Sequence, residues 1–462
     1  MTQAAFRSPP SSASPVLYRD GSYHLDLREV VGWLPVLVLA YPLIGWPMAF
    51  SAFTAGDGTS TDLSNVNASN SNAINVLYFL AVGGLAGLLA LPRLYWGARV
   101  VWTGALVAVV LYLGWSALST LWALNTSISM RRLILQGLVV LAGLFAALVD
   151  RDPRRLAHRL FWLALLTVGL NILWLGVKPP TPLGVEGIYP QKNVLGAVLL
   201  VVLPILVFAA VTRRGLTQLM AFGGIGGALL LLVLSQSKTS LGLAAVVPLA
   251  VLGATLVARV LRTNPAFLIG FGILLLYVGW ILLTQITGIT LDDLSLVLFG
   301  DPTFTGRTYI WDFIGDQIDE RPVFGYGYNS FWAVGYDSPS FREAPGFIIS
   351  LLQSHNGYLD VRIETGLIGF TILCAMIALA LAQTASLAKR DPALGFLAMT
   401  LVLTAILHNL LESSFVRNYS TVWVGFLLAI ALSTPRFGMT GPETAALRDD
   451  ESGVRTALPD AP

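Results

Sequence analysis

Apolar segments long enough to cross a lipid bilayer recur along almost the whole chain, and nothing else in the sequence constrains the fold as strongly. About twelve of them fall near residues 30–53, 73–91, 100–118, 133–149, 159–177, 194–212, 217–234, 240–261, 265–287, 366–386, 393–410 and 420–433. All but the last, which is short, can cover most or all of a hydrocarbon core of roughly 30 Å as a helix. Lipid offers the backbone no hydrogen-bond partners, so a spanning segment must satisfy its own N–H and C=O groups. The spacing therefore predicts an all-α polytopic membrane protein with about twelve transmembrane helices. Composition agrees: 12% of the 462 residues are charged and 55% are hydrophobic, against roughly 25% charged in an average soluble domain.

The same arithmetic excludes several classes. A single cysteine, Cys374, inside an apolar run leaves no disulfide framework and no cysteine-based metal site. Four histidines argue against a histidine-rich metal centre, and a net charge of +2 gives no reason to expect nucleic acid as a partner. Residues 1–29 and 434–462 are polar and rich in Pro, Ser, Thr and charge, the composition of disordered tails. Residues 1–29 show no signal-peptide pattern.

Basic residues in the short connections set an expected orientation. Arg93 and Arg99, Arg151, Arg154, Arg155 and Arg159, Arg213 and Arg214, Arg259 and Arg262, and Lys389 and Arg390 all fall on one side if both termini are cytoplasmic. The uncharged stretch Gly56–Asn72, apart from two aspartates, is then external, and Arg131 and Arg132 are the main exception. Residues 288–365, between the ninth and tenth spans, hold no clean spanning segment and form one large external loop.

Cations on the external side run against the usual bias and suggest an anionic partner, with snorkelling to headgroups as the alternative. Lys192 and Lys238 are the clearest cases, each beside a membrane helix in a short connection, and Arg307 and Arg321 lie in the large loop. The loop also carries Trp311, Tyr326, Tyr328, Phe331 and Trp332, flat faces suited either to stacking on sugars or to an interfacial aromatic belt. His355 stands just before the tenth span, where it could move a proton or simply serve as an ordinary loop residue. Asp292 and Asp293 are adjacent and suit a helix cap better than a metal pair. Late in the chain His408, Asn409, Glu412 and Arg417 form an ionisable group at the outer end of the eleventh span, suited to capping or to an acceptor path.

Taken in order, Thr305-Gly306-Arg307, Arg321-Pro322-Val323-Phe324-Gly325-Tyr326-Gly327, His355-Asn356-Gly357-Tyr358-Leu359 and Glu364-Thr365-Gly366-Leu367-Ile368-Gly369 resemble the O-antigen ligase and polysaccharide polymerase family. Gly187-Ile188-Tyr189-Pro190-Gln191-Lys192-Asn193 and Ser235-Gln236-Ser237-Lys238-Thr239 look like further family segments, in form closest to the exopolysaccharide-polymerase branch. The resemblance runs from about Trp115 to Trp423. It implies a transmembrane glycosyltransferase domain over 30–433 in the bacterial inner membrane, with a periplasmic catalytic loop over 288–365. Its donor would be a glycan on undecaprenyl diphosphate. The acceptor would be a sugar hydroxyl on a growing glycan, or on lipid A-core if the protein is a ligase. A flippase and a chain-length regulator would be its neighbours.

Carried over by position, His355 would be the catalytic histidine and Arg307 the loop arginine near the diphosphate. Lys238 stands where relatives commonly have arginine, which keeps the charge and loses the bidentate fork. Lys192, Arg321, Tyr326, Asn356 and Tyr358 complete the expected donor or glycan contacts. His355 would take the acceptor proton, and the cations would stabilise the departing diphosphate. The expectation is therefore inverting transfer without a metal or other cofactor. A polysaccharide transporter is the competing class, but transporters place their charges at broken helices near the bilayer midplane, and no inverted repeat is seen here.

Overall fold

The computed structural model describes residues 27–44, 73–96, 100–150, 152–182, 184–299 and 306–436. Among these the regular secondary structure is helical, with two isolated β-bridges and no strand. Ten helices are long and apolar enough to cross a membrane, and two shorter apolar helices close the series. The protein is an all-α, multi-pass membrane protein.

The first nine apolar helices are α1 (Leu27–Ile44), α2 (Ala73–Trp96), α3 (Gly104–Ser119), α4 (Thr126–Val140), α5 (Pro153–Trp174), α6 (Lys192–Thr212), α7 (Leu216–Ser235), α8 (Lys238–Leu261) and α9 (Pro265–Thr287). Helix α4 continues through a π-turn and a 3-10 turn to Leu148. Three short helices follow in the large connection: α10 (Leu291–Phe299), α11 (Arg307–Glu320) and α12 (Pro339–Arg342). The chain then returns through α13 (Gly357–Ala388), α14 (Pro392–His408) and α15 (Thr421–Ser433).

Local chemistry marks the helix starts. Asp152, Asn264 and Asp391 each cap a helix with the side chain, and each is followed by a proline at the first helical position. Asp293 accepts from the Thr290 amide and hydroxyl, and its own amide donates back to that hydroxyl, a capping box that starts α10. Every residue of α15 is buried, so this helix is the axis of the bundle, packed by α14, α13, α6 and α1. Helix α9 buries only Pro265 and Ile269 and lies at the periphery.

Several boundaries differ from the sequence expectation, among them the start of the fifth span at Pro153, and two bear on the site. The fourth span begins at Thr126, so Arg131 and Arg132 lie inside the helix. The guanidinium of Arg132 donates to the carbonyls of Asn329, Trp332 and Ala333 at 2.6, 3.1 and 3.4 Å, which fixes a turn of the large connection. The tenth span begins at Gly357, because Asn356 caps it well before the apolar run. The first span ends its described part at Ile44, and Gly56–Asn72, Thr305 and most of both polar tails lie outside the described residues.

Helix α13 is broken at Gly366 (φ 66°, ψ −166°), a backbone state that glycine adopts without strain. The break is filled by the loop segment 322–326. Leu367 donates to the Pro322 carbonyl (3.0 Å), Tyr326 donates to the Ile363 carbonyl (2.9 Å), and Trp115 Nε1 donates to the Thr365 carbonyl (2.9 Å). Groups freed by the break thus find partners in protein, as buried membrane backbone requires. A side chain on Gly366 would run into the Val323 carbonyl, and one on Gly325 would run into Gly366. The two glycine motifs, Arg321–Gly327 and Glu364–Gly369, are therefore the two halves of one interlock.

Candidate active site

The turn between α14 and α15 docks on the first residue of α13. The Gly357 amide donates to the carbonyls of Asn409 (2.9 Å) and Glu412 (3.1 Å). This brings Glu412 against the residue two positions before Gly357. His355 Nδ1 lies 3.1 Å from Glu412 Oε2, while Arg307 Nη2 lies 2.7 Å from Glu412 Oε1. Side-chain exposure is 27% for His355, 13% for Arg307 and 12% for Glu412, so the carboxylate is the most enclosed of the three. Burial disfavours its charge, but the hydrogen bond from His355 and the positive charge of Arg307 outweigh burial and hold the carboxyl below its usual range.

A carboxylate only accepts, so the His355 Nδ1 facing it carries the hydrogen. In the neutral ring that leaves Nε2 as the basic nitrogen. The backbone of His355 is left-handed (φ 54°), an uncommon state for a residue with a side chain. Its neighbours hold it there. The Ser354 amide donates to Asp360 Oδ1 (3.1 Å), and Ser354 Oγ donates to the Asn356 carbonyl (2.8 Å). Asp360 is fixed in turn by Trp332 Nε1 (2.9 Å) and Arg417 Nη2 (3.0 Å).

The hydrogen-bond chain runs on into the bundle. Asn193 Nδ2 donates to Glu412 Oε1 (3.2 Å), and Ser237 Oγ donates to Asn193 Oδ1 (3.1 Å). Asn193 follows Lys192, the first residue of α6, and Ser237 precedes Lys238, the first residue of α8. Arg307 is itself the first residue of α11. Three helix N-termini, each opening on a cation, are thus tied together around Glu412.

Of the residues expected from sequence, Arg307 and His355 meet through Glu412, and Lys192 and Lys238 adjoin in sequence the Asn193 and Ser237 of the chain that runs on from it. Asn356 and Tyr358 take other positions. Asn356 Oδ1 accepts from the amides of Tyr358 and Leu359, and Tyr358 OH donates to the Ile406 carbonyl (2.9 Å). Both side chains build the scaffold under His355. Arg321 lies over the Tyr326 ring, 4.5 Å from its centre, outside the Glu412 cluster. Tyr326, Phe331 and Trp332 are buried in a small apolar core of the large connection with Ile310, Phe313, Ile314, Ile348 and Ile363, and Tyr328 is buried in the main core. Those rings stack on one another or on the bundle. Tyr326 OH bonds Gln317 and Glu320, each at 3.0 Å, instead of presenting an open face to a sugar. Glu412 and Asn193 are the participants whose contacts the sequence did not display. Among the described residues no group of three His, Cys, Asp or Glu side chains is placed to hold a metal.

Similarity to known proteins points the same way. Residues 223–374 match the family model described as O-Antigen ligase. An exopolysaccharide production protein of Rhizobium meliloti, ExoQ, is 34% identical over 88 residues, 18% of this chain and 20% of its own length. A protein of Rickettsia conorii, provisionally named a polysaccharide ligase, is 27% identical over 109 residues, 22% of this chain and 25% of its own. The chain matches only about a fifth to a quarter of these curated relatives' length. The matched domain begins in α7, runs through α8, α9 and the large connection, and ends in α13, so it contains Lys238, Arg307 and His355. Over residues 223–374 the chain is thus similar to the O-antigen ligase family, and it shares shorter stretches with an exopolysaccharide production protein.

Proposed function

We propose that the protein is a glycosyltransferase of surface-polysaccharide biosynthesis. It takes a glycan from undecaprenyl diphosphate at the outer face of the bacterial inner membrane and passes it to a sugar hydroxyl, polymerising repeat units. The observation that carries this reading is the meeting of Arg307, His355 and Glu412 at 2.7 and 3.1 Å, ringed by the N-termini of α6, α8 and α11. A helix N-terminus favours anions, so a cation placed there opposes the helix's own preference. Three helices that each open on a cation and are tied together through Glu412 and Asn193 suit a bound diphosphate, which the helix ends and the side chains then hold jointly.

In the reaction, Nε2 of His355 takes the proton from the acceptor hydroxyl as its oxygen bonds to the anomeric carbon. The bond from that carbon to the phosphate oxygen breaks, and the lipid diphosphate leaves with the electron pair. Attack from the face opposite the leaving group inverts the anomeric centre. Arg307, Lys238 and Lys192 stabilise the charge that develops on the diphosphate. No metal enters this scheme. The basic short connections support cytoplasmic termini and an external site.

Transfer of a finished glycan to lipid A-core or another acceptor is the second reading, favoured by the ligase family match. The length distribution of undecaprenyl-linked glycan in cells lacking the protein separates the two. Single repeat units mean a polymerase, and long lipid-linked chains that reach no acceptor mean a ligase. A His355→Ala protein that restores the normal pattern overturns the assignment of His355.

A further inference from the structure

A cavity of about 620 Å³ opens beside the Glu412 cluster. Its wall includes Glu412 and Gln353, and both side chains reach His355 Nδ1, at 3.1 and 3.5 Å. Its polar lining includes six amide side chains: Asn75, Gln191, Asn193, Asn329, Gln353 and Asn418. The Tyr41 and Tyr419 rings add flat surface, 5.0 Å apart and edge to face. Asn418 Oδ1 and Ser413 Oγ, both on residues of the wall, are buried without a hydrogen-bond partner. An amide offers a donor and an acceptor together, as a sugar hydroxyl does, so this lining matches a polyhydroxylated surface.

The charges in the wall are already committed. Arg132 donates to three backbone carbonyls. Arg417 is paired with Asp360 and donates to the Leu352 carbonyl. Glu412 is paired with Arg307. The wall as described includes none of Arg307, Lys192 and Lys238, the cations suited to the donor's diphosphate.

We propose that this cavity is the acceptor subsite and that it recognises the neutral, hydroxyl-rich end of a glycan rather than a phosphorylated one. The proposal rests on the glycosyl-transfer reading above. It bears on the acceptor, because a growing neutral polysaccharide end fits such a wall and a phosphate-bearing core does not.

The test uses the full chain in nanodiscs and two soluble acceptors: a neutral oligosaccharide of the native repeat, and the same molecule carrying a phosphomonoester. Calorimetric titration without donor measures binding directly, and transfer from a synthetic lipid-diphosphate-linked donor gives KM for each substrate. Ala197→Phe narrows the cavity, and Gln191→Ala removes one amide whose side chain makes no helix-capping bond. The expected result is neutral-glycan binding weakened roughly tenfold or more by Ala197→Phe and roughly fivefold by Gln191→Ala. KM for the donor stays unchanged, and the phosphorylated acceptor is at least about tenfold poorer. The proposal is overturned if the wild type fails to bind the neutral glycan, if Gln191→Ala binds it as the wild type does, if the donor KM rises instead, or if both acceptors serve equally. His355→Ala keeps binding the glycan under this proposal. Its transferring at the wild-type rate would instead overturn the reading of the reaction and leave the binding result standing.

Discussion

Glu412 lies 57 residues from His355 in sequence and 3.1 Å from its Nδ1 in space, and the same carboxylate also holds Arg307. One acidic side chain thus orients the proposed base and pairs the proposed diphosphate ligand. Exchange for glutamine keeps the shape and removes the charge. The amide no longer dictates which ring nitrogen of His355 carries the hydrogen, and Arg307 loses its partner. Glu412→Gln is expected to lower kcat about 100-fold or more, within the range of general-base losses, with the fold retained. Steady-state transfer assays with a circular-dichroism control check this, and activity near wild type would remove Glu412 from the site.

Acid sensitivity follows from the same carboxyl. Its pKa is lowered in the folded protein, so folding is favoured by the ionised form. That stabilisation is present above the unfolded value, about 4.3 for glutamate, and is lost as pH falls through the lower folded value. The contribution of Glu412 to the thermal midpoint in detergent should be constant between pH 6 and 8 and should decline on acidification below about pH 4. The acid limb of Glu412→Gln should be flatter, and identical limbs for the two proteins would contradict the pairing.

The interlock at Gly366 predicts a structural defect. Gly366→Ala places a side chain against the Val323 carbonyl in a left-handed backbone. The backbone strain alone costs about 1–3 kcal/mol. Lower membrane yield and a lower thermal midpoint are expected. Faster hydrogen exchange over residues 322–326 should accompany them, because that segment loses its seat. Wild-type exchange in the variant would show that the segment holds its place without the interlock.

Tyr326 gives a contrasting case. Tyr326→Phe removes a hydroxyl bonded to the buried Gln317 and the exposed Glu320, at a cost of about 1 kcal/mol. Stability should fall while KM for both substrates stays the same. A raised KM with unchanged stability would return Tyr326 to substrate contact.

The proposed chemistry assigns charge stabilisation to Arg307, Lys238 and Lys192. Excess chelator is therefore expected to leave transfer undiminished. Activity restored only by Mg²⁺ or Mn²⁺ would overturn that assignment.

The helices were legible because bilayer thickness fixes their length, and the apolar runs mark α6 and α9 to within about two residues of their observed ends. Polar starts were less visible. Asn356 caps α13 and Asn125 caps α4 through local bonds that lie well ahead of the apolar runs, whereas the carbonyls that Arg132 reaches lie far along the chain. Within the site, Arg307 and His355 stood out as external ionisable groups in distinctive motifs. Glu412 stood out only as part of a helix-end cluster, since nothing local tells which side chain a carboxylate will meet. The loop aromatics show the converse difficulty. A ring that stacks on sugar and a ring that fills a small core, as Phe331 does, present the same letter in sequence.

The wedge of residues 322–326 in the broken helix has a consequence for biosynthesis. The segment leaves the ribosome some forty residues before the helix that receives it, and Glu412 emerges later still. Until α13 is inserted the wedge has no seat, and until the turn after α14 arrives Arg307 and His355 have no carboxylate between them. The site is therefore assembled last. Under the proposed function, a nascent chain halted short of residue 412 carries the histidine and the arginine without the carboxylate that holds them, and transfer waits until the membrane bundle is closed.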